Sequence, residues 1–84
     1  MAELYFEIHS VPDRSFPVAQ VYCGAIMVAE VSREDGENSL LQVCNIPAIE
    51  IDMDMATYIQ TLHRAEESLV EAIRTRSWRN YSPG

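Results

Sequence analysis

The sequence predicts an α+β domain, a three-stranded antiparallel meander followed by one long C-terminal helix packed on it. Three observations carry that reading. Alternating and β-branched apolar residues dominate the first half, an Asp-Gly pair separates two such runs, and a helical apolar stripe begins at Met55. The 84 residues form one domain, 1–84. A fold this small buries little more than about 60% of its extended-chain surface, so its core is thin.

The first strand spans about 4–11. Leu4, Phe6 and Ile8 alternate with Tyr5, Glu7 and His9, the period of a half-buried strand. Pro12 and Pro17 then bracket a polar loop, each lacking a backbone donor. The second strand, about 18–32, is rich in β-branched residues: Val18, Val21, Ile26, Val28 and Val31. A helical stripe through Val18, Val21, Ala25 and Val28 is the competing reading. Gly24 inside the run marks a bulge or bend. Asp35-Gly36 suits a two-residue hairpin turn, whose central residues both need positive φ. It leads to a third strand, about 39–46, ended by Pro47.

Asp52 or Asp54 caps a helix over about 55–77. Met55, Ile59, Leu62, Ala65, Leu69 and Ile73 fall on its inner stripe, while Gln60, Arg64, Glu67, Glu71 and Arg74 face away. Glu71 and Arg74 attract at i,i+3. A short tail, 78–84, follows.

A two-residue turn at Asp35-Gly36 sets Met27 opposite Cys44 and Val31 opposite Leu40 on one face, and Val28 opposite Val43 on the other. Both faces of the second strand are then apolar. One helix covers one of them, so a second chain is expected on the other, as in a homodimer. The same register separates Cys23 from Cys44 by roughly 13 Å along the strand. A disulfide spans at most about 7 Å between Cα atoms, so reduced thiols are expected.

Composition narrows the function classes. With 48% apolar and 23% charged residues the chain is globular, and no apolar run reaches a membrane span. The N-terminus lacks the basic segment of a secretory leader, which points to the cytoplasm. Thirteen acidic and six basic side chains give a net charge of −7. Such a chain is repelled by nucleic-acid phosphates and anionic membranes and suits a protein partner with a basic surface. The acidity is concentrated before Ala56, and Arg74, Arg76 and Arg79 crowd the other end.

His9, His63, Cys23 and Cys44 have metal-ligating chemistry, but no C-x-x-C or H-x-x-x-H spacing joins them. No metal or cofactor is expected, and with no catalytic constellation the chain reads as a non-enzyme. The candidate binding residues are acidic in one group, Glu34, Glu37, Glu50, Asp52 and Asp54, able to imitate a phosphate track. Arg76, Trp78, Arg79 and Tyr81 form the other, of residue types enriched at interface hot spots.

Ile46-Pro47-Ala48 and Ala65-Glu66-Glu67-Ser68-Leu69, in a strand-strand-strand-helix order, resemble HicB-type antitoxin domains over a minority of the chain. The Gly after the Pro and a clear fourth strand of those domains are missing. The resemblance implies a toxin-neutralising role. The function expected from the residues is that of a small acidic interaction protein, of a kind common in phages and mobile elements, which binds and inhibits a larger protein. An antitoxin or immunity protein is the first alternative. A small enzyme or enzyme subunit with its site at a dimer interface is the second.

Overall fold

Each strand pairs with its neighbour in the chain. The computed structural model describes residues 3–44 and 51–75. In it β1 (Leu4–His9), β2 (Val18–Cys23), β3 (Ile26–Ser32) and β4 (Leu40–Val43) form one antiparallel sheet in the order β1-β2-β3-β4. One helix, α1 (Met55–Thr75), packs on β1 and β2 and more lightly on β3. The architecture is the α+β meander with a C-terminal helix, but the sheet has four strands where the sequence suggested three.

The extra strand arises at Gly24. The stretch 18–32 is not one strand but two, joined by a tight turn at Gly24-Ala25 that sets Cys23 opposite Ile26. Gly24 has a φ of 63°, a left-handed conformation that a side chain disfavours. Its N–H donates to the Glu3 carbonyl at 2.9 Å, tying the turn to β1.

A β-bulge then changes the phase of β3. Val21 lies opposite Ala29 while Tyr22 lies opposite Met27, so Val28 is an extra residue. Ile26 and Val28 on one side of the bulge and Ala29 and Val31 on the other all join the core beneath α1. This overturns the premise that both faces of the run are apolar. The far face is mixed: the strand register aligns Tyr5, Glu7, Gln20, Tyr22, Glu30 and Gln42 there, with Val18, Met27 and Leu40 among them. The Tyr5 and Tyr22 rings, cross-strand partners, stack with centroids 5.2 Å apart.

The β3–β4 register also differs from expectation. Val31 faces Leu41 and Ala29 faces Val43, one residue away from the pairing a two-residue turn requires. The connection spans 33–39 because side chains supply hydrogen bonds that a type I′ turn does without. Asp35 Oδ1 accepts from the backbone N–H groups of Glu37 and Asn38, both at 2.8 Å, and Gly36 N–H donates to the Arg33 carbonyl at 2.9 Å. Cys23 is buried and Cys44 half-buried, with Cys44 N–H donating to the Val28 carbonyl. They stay apart, as the sequence indicated, although in a different register.

In α1, Thr61, Ala65, Leu69 and Ala72 are buried, flanked by the half-buried Tyr58, Leu62 and Ile73. Ala19, Ala29 and Ala65 are short, which lets helix and sheet approach closely, and Leu69 fills the space between. The buried stripe is rotated from the expected one: Met55 is 75% exposed and Ile59 46%. Thr61 is tolerated inside because its hydroxyl donates to the Thr57 carbonyl at 2.7 Å. Asp54, not Asp52, is the N-cap; its Oδ2 accepts from the Thr57 N–H at 3.0 Å and the Thr57 hydroxyl at 2.7 Å. Those two bonds hold the Asp54 carboxyl below its ordinary pKa. The expected Glu71–Arg74 pair forms with two hydrogen bonds, at 2.6 and 3.1 Å. No described helix is long and apolar enough to cross a membrane.

Candidate interaction surface

The 33–39 loop presents two of the five acidic candidates, Glu34 and Glu37. Asp35 is the loop's internal staple. Besides the two backbone bonds, its Oδ2 accepts from the Asn38 side-chain amide at 3.1 Å. Backbone donors from Asn38 and Glu37, more than any nearby charge, depress its pKa to about 2. Asp35 is therefore ionised across the neutral range, and its carboxylate shapes the loop on which Glu34 and Glu37 are exposed.

The nearest cations are engaged within the protein. Arg14, from the proline-bracketed loop, reaches across the far face to Glu30 at 3.0 Å and approaches Glu34 at 3.7 Å. Arg33 donates to Ser39 Oγ at 2.8 Å and to the carbonyls of Gly36 and Glu37. The guanidinium that follows β3 thus closes the loop through neutral acceptors. Among the described residues no cation pairs with the carboxylates of Glu37 or Asp52.

Glu34 and Glu37 stand together at the N-terminal end of β4, and Asp52 and Asp54 precede α1. The start of α1 lies toward the other end of β4: Tyr58, whose pKa is raised by burial and then by Cys44, is near the residue that follows the strand. The two acidic groups therefore flank β4 rather than merge. Glu50, Arg76, Trp78, Arg79 and Tyr81 lie outside the described residues.

Between the flanks is an apolar strip that the sequence reading missed. Leu41 and Val43, on the helix side of β4, are 47% and 66% exposed, and Ile59 and Met55 add to the strip from the helix; Leu40, 63% exposed, lies on the opposite face. α1 sits over the other strands and leaves β4 largely uncovered. A groove of about 240 Å3 runs between them, lined by Val31, Leu41, Ile59 and Leu62 with His63 and Glu66. The signal in the sequence was the helix itself, which carries more apolar positions than one buried stripe holds.

The groove also touches Ser39, so a hydroxyl, an imidazole and a carboxylate share it. The Ser39 hydroxyl is held by Arg33, and among the described residues no hydrogen bond joins Ser39 to His63 or His63 to Glu66. A nucleophile needs a base within hydrogen-bond reach and that base an orienting partner, and this arrangement supplies neither. Nor do three His, Cys, Asp or Glu side chains gather as a metal site among the described residues. No protein-family model matches the chain, and no curated protein or solved structure matches it.

Proposed function

We propose that the chain is a small acidic, non-catalytic protein that binds a larger protein through that partner's basic surface and inhibits it by occupying the surface. The observation that carries this reading is the state of the acidic loop. Its carboxylates stand on a hydrogen-bonded scaffold, while the neighbouring Arg33 is turned inward onto carbonyls. A fixed cluster of negative charge, offset by Arg14 at Glu34 but by no paired cation at Glu37, steers encounter with a positive surface and sets orientation.

Affinity capture on the full chain with mass spectrometry identifies the partner, and surface plasmon resonance then reads the association. The association rate is expected to fall steeply from low to physiological salt. The double variant Glu34→Arg, Glu37→Arg is expected to slow association about tenfold or more, with Asp35 left in place to hold the loop. Salt-independent association that survives both reversals would overturn the proposal.

A further inference from the structure

We infer that the partner docks by strand addition, laying an extended segment with alternating apolar residues and basic flanks along the outer edge of β4. This rests on the interaction reading above and specifies how contact is made.

The backbone geometry comes first. Cys44 N–H donates to the Val28 carbonyl, so residues of β4 in step with Cys44 direct their peptide groups toward β3. By the alternation of an antiparallel ladder, Leu41 and Val43 direct theirs away from it. Among the described residues no strand pairs with that edge. The sequence Leu40-Leu41-Gln42-Val43 contains no charge, no proline and no bulge, the devices that ordinarily protect an edge strand.

Side chains and backbone agree. Leu41 and Val43, which offer the outward peptide groups, also place their side chains on the helix side, opposite the core residues Val31 and Ala29. A partner residue hydrogen-bonded to either one projects its own side chain to that same side, over the groove bordered by Ile59 and Leu62. Its neighbours in the segment fall beside Gln42 on the polar face. The edge therefore selects apolar residues at every second position with polar residues between them.

Charge chooses the occupant. Glu34 and Glu37 mark one end of β4 and the Asp52–Asp54 approach to the helix lies toward the other. A second copy pairing antiparallel across a two-fold axis would bring each copy's acidic loop beside the other copy's Asp52–Asp54 approach, like charge against like. A segment with Lys or Arg at its flanks meets complementary charge at both ends instead.

A displayed library of random twelve-residue peptides, panned against the full chain, tests this. Enriched peptides are expected to alternate apolar and polar residues and to carry Lys or Arg at the flanks. Val43→Lys should weaken their binding at least tenfold, whereas Glu7→Gln, the same change of net charge on the far face, should leave it within twofold. Bound peptide should slow hydrogen exchange at the Leu41 and Val43 amides. Four results overturn the inference: no enriched peptide, enrichment of acidic flanks, binding indifferent to Val43→Lys, or a wild-type dimer in sedimentation equilibrium that Val43→Lys dissociates, which assigns the edge to a second copy. Binding that ignores Val43→Lys yet falls with Glu34→Arg and Glu37→Arg removes strand addition alone and leaves the acidic-surface reading standing.

Discussion

Truncating Leu69 to alanine tests the helix orientation on which the exposed strip depends. Leu69 is 0% exposed and shares its cluster with Ala19, Val21, Ala29 and Ala65, whose short side chains do not extend into a vacated volume. The substitution removes three buried carbon atoms and leaves most of the cavity, a loss of about 3–4 kcal/mol by comparison with other buried leucines. Typical stability per residue puts a chain of this length at about 4–12 kcal/mol, so Leu69→Ala removes a large part of it. The melting temperature should fall by roughly 12–24 °C for a loss of 3 kcal/mol. Ile59→Ala is the matched control. Its side chain is about half exposed, and alanine favours the helix, so the loss should stay near or below about 1 kcal/mol. Urea unfolding followed by far-ultraviolet circular dichroism measures both, with equal slopes licensing the comparison. Equal losses for the two variants would refute the reasoning, because they would return Ile59 to the core and close the groove beside β4.

The Asp35 carboxyl should titrate with a midpoint near its depressed value of about 2 rather than the ordinary 3.8, read from the Glu37 and Asn38 amide shifts in NMR spectra. Its folded value lies below its unfolded one, so its stabilising contribution is complete above about pH 4 and is lost as pH falls through about 2; a midpoint near 4 would contradict the stapled loop. Gly24→Ala should destabilise the fold by about 1–2 kcal/mol, since the new Cβ meets left-handed strain at the β2–β3 turn, and an unchanged urea midpoint would show that the turn does not hold that conformation.

What was legible in the sequence was what period alone encodes. The alternation of Leu4, Phe6 and Ile8 marks β1, and the stripe from Met55 to Ile73, expected as a helix over about 55–77, marks α1 at Met55–Thr75 although its first two members are exposed. In the sequence Gly24 marks a bulge or bend rather than a chain reversal, because β-branched residues continue on both sides of it. The bulge was hidden for a physical reason: one extra residue inverts the alternation, and an inverted alternation reads as a strand apolar on both faces. The homodimer expectation is argued from that pattern, and the edge of β4 supplies a second surface at which sedimentation equilibrium tests it. Asp35-Gly36 misled for a related reason, since an aspartate whose carboxylate accepts backbone N–H groups closes a longer loop. Of the candidate site, the acidic loop and the helix cap were readable from residue type. The apolar strip was not, because exposure of Leu41, Val43 and Ile59 depends on where α1 comes to rest across the sheet.

The meander has a consequence for how the chain is made. Its three hairpins join neighbours in sequence, so the sheet can close within microseconds of Cys44 leaving the ribosome. Its cover comes last: Ala65, Leu69 and Ile73 are translated roughly twenty to thirty residues after Cys44, an interval of about 1–6 s at ordinary elongation rates. For that time the nascent sheet shows water Phe6, Val21, Val28 and Val31 along with two unprotected edges. The emerging chain carries a net charge of −5 through Cys44, −8 through Met55 and −10 through Glu71, before Arg74, Arg76 and Arg79 return it to −7. Mutual repulsion between neighbouring nascent chains on one polysome therefore grows through the interval in which the sheet is bare.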